Sequence, residues 1–186
     1  VQRKTMPNPK KIWIPNESFT NDSNMNTFKN WVNKNYKQKF NTYQDLWNWS
    51  VNKHDQFWES ILKYFDLSYS GKYSKVKSSN GEIHETVWFK GIQLNYAEHI
   101  FKNDFDHNPA IVFQGEINEY QEISIETVKS KTAKIAAYLK EKGVKKGDRV
   151  CSMLPNSPEA VIAFLATNSL GAIWTSCSPD FGTKSI

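Results

Sequence analysis

The chain has 186 residues, of which 39% are hydrophobic, 14% aromatic and 23% charged, with a formal net charge of +5. This is the size of one globular domain, or one and a half, with enough aromatic bulk for a real core. No run approaches the ~20 consecutive apolar residues of a membrane-spanning helix, and no charged-then-apolar secretory leader is read at the N-terminus.

The charge is uneven. Residues 1–50 hold eight Lys/Arg against three Asp/Glu, and residues 51–186 hold sixteen of each. Lys29, Lys34, Lys37 and Lys39 alternate with polar residues, which reads as a solvated helix face rather than a nucleic-acid surface with interleaved stacking aromatics. The two cysteines, Cys151 and Cys177, lack any metal-ligand spacing and suit a reduced compartment, the cytoplasm.

In chain order, residues 7–24 read as an extended arm anchored by Ile12, Trp13 and Ile14. A helix over 25–36 presents Phe28, Trp31, Val32 and Tyr36 at helical spacing. Thr42, with Asp45 three residues on, predicts a capped helix over 43–51. A third helix over 54–65 carries Phe57, Trp58, Ile61, Leu62 and Phe65 as a core stripe; its His54-Asp55 start is an ordinary acidic first turn. Residues 68–81 are polar and glycine-bearing and read as a separating loop. A short extended segment over 86–89 precedes a helix over 94–102, with Leu94, Ala97, Ile100 and Phe101 inward. Segments 110–113 and 119–123, joined by a turn over 114–118, form a hairpin. Ser124 caps a helix over 125–142 that Gly143 stops.

The last third is the most informative. An apolar strand over 149–154 runs into Pro155-Asn156. Ser157, Pro158 and Glu159 suit a helix start. That helix is apolar nearly all round to Leu170, and Gly171 ends it. A second strand over 172–177 follows, so the segment is a parallel βαβ unit. Ligands of such sheets bind outside the carboxyl ends of the strands, here Leu154-Pro155-Asn156 and Ser178-Pro179-Asp180, expected on one edge. Pro179 stiffens the second tip and Gly182 permits positive φ. Strand spacing puts Cys151 and Cys177 more than ~10 Å apart, too far for a disulfide. Asp180-Phe181-Gly182 matches the metal-binding triplet of protein kinases, but the surrounding kinase motifs are missing. Neither a G-x-G-x-x-G turn nor a phosphate-binding loop is present.

The stretch "GDRVCSMLPNSPEAVIAFLATNSLGAIWTSCSPDFG" (147–182) resembles the adenylate-forming enzymes, the acyl-CoA synthetases in particular. "WFKGIQLNYAEHIF" (88–101) is similar to the acetoacetate-activating branch of that family. The segments "IWIPNESFTNDSNMNTFKNW", "YQDLWNWSV" and "FWESILKYF" are similar to its opening region. The resemblance implies an α/β fold, with an N-terminal helical region over 1–81 and the incomplete start of the AMP-binding domain over 82–186. It implies ligation of acetoacetate, or alternatively of acetate or propionate, to coenzyme A through an acyl-adenylate, using ATP and Mg2+. The phosphate loop, the ribose-binding Asp, the metal site and the catalytic Lys would lie beyond residue 186, so this portion alone is expected to be inactive. A non-catalytic binding module that kept the fold is the reading from a different class. Residue by residue, Ser178, Pro179 and Asp180 fall on a loop beside the coenzyme A channel of acetyl-CoA synthetases. Relatives commonly carry Phe-Gly-Gly there and this sequence does not. The sheet begun by the two strands is expected to continue in the longer protein.

Overall fold

A computed structural model describes residues 12–79, 81–102, 109–117, 120–182 and 184. Four helices come first: α1 (Glu17–Asn21), α2 (Asn24–Asn35), α3 (Tyr43–Asn52) and α4 (His54–Tyr64). Four short strands follow: β1 (Tyr69–Gly71), β2 (Lys77–Ser78), β3 (Val87–Trp88) and β4 (Ile92–Leu94). The rest is α5 (Tyr96–Lys102), β5 (Ile111–Phe113), β6 (Gln121–Ile123), α6 (Ile125–Glu141), β7 (Arg149–Met153), α7 (Pro158–Ser169) and β8 (Ile173–Cys177). The fold is mixed α and β, as expected, with the strands in two-stranded sheets.

The chain divides into two compact units. The described residues of 1–67 and 74–90 make the first, and those of 68–73 and 91–186 the second. In the first unit, Phe28, Val32, Leu46 and Trp49 are buried. Around them pack Trp31, Tyr36, Phe40, Phe57, Ile61 and Tyr64. The rings meet largely edge to face, Phe28 on Tyr64 at 5.0 Å and Tyr36 on Trp49 at 5.6 Å between centroids, the arrangement aromatic quadrupoles favour. The buried Trp49 indole has its polar group satisfied, Nε1–H donating to Gln56 Oε1 at 3.1 Å. The capping box predicted for α3 is present in both directions between Thr42 and Asp45.

Three sequence expectations fail in this unit. Ile12, Trp13 and Ile14 are 101%, 69% and 65% exposed instead of buried anchors; Trp13 meets Phe19 of a short helix, α1, that the sequence reading placed in the arm. Trp58 and Phe65 lie at the edge of the α4 stripe and stay substantially exposed, while Ser60 is fully buried by donating to Phe57 O. Residues 68–81 are not a plain loop. β2 pairs antiparallel with β3 inside the first unit, while β1 pairs antiparallel with β4 inside the second. Alternation over two or three residues is too short to register as a strand signal. Of the lysines read as a solvated helix face, Lys34, Lys37 and Lys39 are exposed, and Lys29 Nζ donates to Asn41 O.

In the second unit Ala97, Ile123, Val128, Ile162 and Leu165 form the core, with Ile100, Phe101, Ala110, Ile111, Ile135 and Phe164 against it. The predicted helix start at Leu94 moves to Tyr96, because Leu94 ends β4 and is exposed. β5 and β6 pair antiparallel with Ile111 opposite Ile123; the expected turn between them runs partly outside the described residues, as does the continuation past Lys184. α7 packs on both α6 and α5. No described helix is long and apolar enough to cross a membrane.

Candidate functional site

The βαβ unit is built from its turn upward. Lys145 N donates to Asp148 Oδ2 at 2.7 Å and Asp148 N to Lys145 O at 3.0 Å, closing the turn that feeds β7. Gly147 N to Gly171 O and Ile173 N to Asp148 O tie the entrances of β7 and β8 together. The two strands then run parallel in the register Arg149↔Ile173 to Met153↔Cys177.

The connecting helix, α7, is secured at both ends. At its start Pro158 occupies the first turn. There the Glu159 carboxyl is held below its ordinary value, first by its own backbone N–H and next by the Ser157 hydroxyl. A carboxylate at this end of a helix meets the positive pole of the backbone dipoles. At its finish, Asn95 Nδ2 donates to Asn168 O at 2.9 Å and to Ser169 O at 3.3 Å. The same carboxamide accepts from Glu98 N through Oδ1 at 3.1 Å and so starts α5. One side chain caps two helices, a role that sequence spacing missed because its second partner lies 73 residues away.

With both strands anchored at one end, both leave the sheet at the other. Leu154-Pro155-Asn156 and Ser178-Pro179-Asp180 therefore lie on the same edge, as expected. Ser178 is half-buried, and Pro179, Asp180, Pro155 and Asn156 are exposed. The second tip is a closed turn: Ser178 Oγ donates to Asp180 Oδ2 at 3.0 Å, Asp180 N to Ser178 Oγ at 3.3 Å, and Phe181 N to Ser178 O at 3.1 Å. Gly182 is not among the residues with positive φ, and a side chain there would meet nothing within 4 Å. The freedom expected of that glycine is thus unused by the local backbone.

The cysteine geometry needs correction. Both thiols are free. Cys151 stands opposite Thr175, and Cys177 opposite Met153. The cysteines are diagonal neighbours on the same sheet face, about 8 Å between Cα atoms from ordinary strand spacing and rise, rather than beyond 10 Å. That still exceeds the span of a disulfide. β8 begins level with β7, so Cys151, the third residue of β7, lies only two positions short of the level of Cys177.

Among the described residues no three His, Cys, Asp or Glu gather as metal ligands. The tips offer a serine hydroxyl, a proline ring and an exposed carboxylate. This set can line a passage and orient amide groups, and it holds no paired acid and base for chemistry of its own.

Comparison with known proteins gives these features a context. The family described as AMP-binding enzyme matches residues 101–186, and that described as acetyl-coenzyme A synthetase N-terminus matches residues 43–100. The chain is 35% identical to mouse acetoacetyl-CoA synthetase over its whole length, and 29% identical to the Rhizobium meliloti acetoacetyl-coenzyme A synthetase over 94% of it. It spans 28% and 27% of those two proteins. It superposes on acetoacetyl-CoA synthetase from Streptomyces lividans with a TM-score of 0.89 at 34% identity, covering 95% of this chain and 28% of that one. With two adjoining matches running from residue 43 to 186 and a shared backbone over nearly all its length, the chain belongs to the AMP-binding enzyme family, in the branch that carries an acetyl-coenzyme A synthetase N-terminus.

Proposed function

We propose that the chain is the N-terminal portion of an ATP-dependent acid–CoA ligase acting on acetoacetate. The observation that carries this reading is the whole-chain likeness, in sequence and backbone, to acetoacetyl-CoA synthetases. In the proposed reaction a carboxylate oxygen of the acid attacks the α-phosphorus of ATP and releases pyrophosphate. The thiol of coenzyme A then loses its proton, attacks the acyl carbonyl and expels AMP. Adenylation is needed because a carboxylate offers a poor leaving group and AMP a good one. Mg2+ would accompany ATP, and no residue described in this chain is assigned to it. In this reading residues 1–81 are the helical region, residues 82–186 open the AMP-binding domain, and catalysis requires the polypeptide that follows in the relatives, so this portion by itself is inactive. The protein would work in the cytoplasm.

Ser178, Pro179 and Asp180 would line the coenzyme A passage, by contact and not by catalysis. Asp180 commits Oδ2 to Ser178 and leaves its other oxygen to accept an N–H. A carboxylate repels phosphate and suits an amide, so its partner would be the pantetheine arm rather than the diphosphate. The test is acid-dependent ATP–pyrophosphate exchange by the intact protein with acetoacetate, acetate and propionate. Fastest exchange with acetoacetate is expected. Faster exchange with another acid would move the assignment to a sister ligase, and none with any acid would remove it.

A further inference from the structure

We infer that Ser178 is a positioning residue, whose hydroxyl aims the Asp180 carboxylate and so acts on coenzyme A through Asp180. This rests on the role proposed above for the β8 tip and deepens it, by dividing the work between the serine and the aspartate. The tip starts from a fixed point. Cys177 is the last paired residue of β8, opposite Met153, and its thiol donates to Ser152 O of β7 at 3.6 Å. Ser178 follows directly, and three bonds converge on it. Its Oγ–H donates to Asp180 Oδ2 at 3.0 Å, its Oγ accepts from Asp180 N at 3.3 Å, and its carbonyl accepts from Phe181 N at 3.1 Å.

One hydroxyl therefore holds Asp180 at both its backbone and its side chain. A serine hydroxyl has a single proton to donate, and here Asp180 Oδ2 takes it. Pro179, between the two residues, has its φ fixed by its ring. Ser178 is half-buried and Asp180 exposed, so the serine is the support and the aspartate the presented group. With Oδ2 tied back, the carboxylate loses its freedom to turn, and its other oxygen points in one direction before any ligand arrives. Without the serine hydroxyl the aspartate side chain would have to be ordered at the moment of binding, at a cost in affinity.

The experiment is a double-mutant cycle in the intact protein: Ser178→Ala, Asp180→Ala and the two together, each read by its KM for coenzyme A and by acid-dependent ATP–pyrophosphate exchange. Ser178→Ala is expected to raise the KM about three- to tenfold beside a native Asp180, and by less than about twofold once Asp180 is alanine. Ser178→Thr keeps the hydroxyl and should return the KM to within about twofold of the native value. An equal rise in both backgrounds would assign the serine a contact of its own with coenzyme A and overturn the inference. So would a KM that Ser178→Ala leaves unmoved, a failure of threonine to rescue it, or an exchange rate that falls in step with the rise in KM. Each of these leaves the role of Asp180 standing, provided that Asp180→Ala raises the KM. A native KM in Asp180→Ala would instead bring down the role of the tip, and the inference with it.

Discussion

Met153 and Cys177 face each other as the last paired residues of two parallel strands, so the chain leaves both strands at the same level and on the same edge. That pairing puts Ser178–Asp180 on the same sheet edge as Leu154-Pro155-Asn156. A pair offset by several residues would have put one tip on the sheet and the other beyond it.

Asn95 holds the end of α7 from which β8 departs. Asn95→Ala should destabilise the protein by about 1–3 kcal/mol, since it strips one helix start and removes the side-chain donor shared by the Asn168 and Ser169 carbonyls. Asn95→Asp keeps the acceptor for Glu98 N but loses the donor and sets a negative charge at a helix C-terminus. The aspartate variant should therefore recover little or none of the loss, as read by urea unfolding. Full recovery by aspartate would show that only the α5 cap matters.

Much of this was legible in the sequence and some was not. Ser23, Thr42 and Ser124 cap helices at the predicted starts or within a residue of them, because a cap is a local pattern of side chain and backbone; Ser157 stands at the predicted start of α7 but makes no side-chain cap bond there. The βαβ unit was legible because its strands and helix are each long enough to show a period. The β1–β4 and β2–β3 ladders were not, since three residues show no period and their partners lie about twenty and ten positions away. The double role of Asn95 was hidden for the same reason. The family resemblance named the candidate loop; residue chemistry alone gave only the edge.

Glycine at position 71 is demanded by backbone approach. Gly71 has φ +88°, and a Cβ there would collide with the carbonyl oxygen of Gly91, while one at Gly91 would collide with that of Lys72. Gly71→Ala should break the end of the β1–β4 ladder and cost more than the ~1 kcal/mol of an unfavourable φ alone. Hydrogen exchange at Tyr69–Gly71 and Ile92–Leu94 should accelerate in this variant, and unchanged protection would refute the close approach.

Three carboxylates at helix starts set an acid limit. Asp45 is held low chiefly by the Thr42 backbone N–H, and Glu126 and Glu159 each by their own backbone N–H before any charge. A carboxyl with a lowered folded pKa contributes stability that is complete above its unfolded value and lost as pH falls through the folded one. Stability should thus hold at neutral pH and decline below the ordinary values of 3.8 for Asp and 4.5 for Glu. Asp45→Asn should flatten part of that decline in pH-dependent melting curves. Thr42→Ala should cost about 1 kcal/mol at neutral pH.

The central claim, that the β8 tip faces coenzyme A, is tested most directly by Asp180→Ala in the intact protein. The measurement pairs the KM for coenzyme A with the rate of acid-dependent ATP–pyrophosphate exchange, which reads the first half-reaction alone. Loss of one hydrogen bond to a carboxylate predicts a KM about tenfold higher, some 1.4 kcal/mol, with exchange unchanged. An unaltered KM for coenzyme A, or an exchange rate that falls in step with it, would contradict the claim.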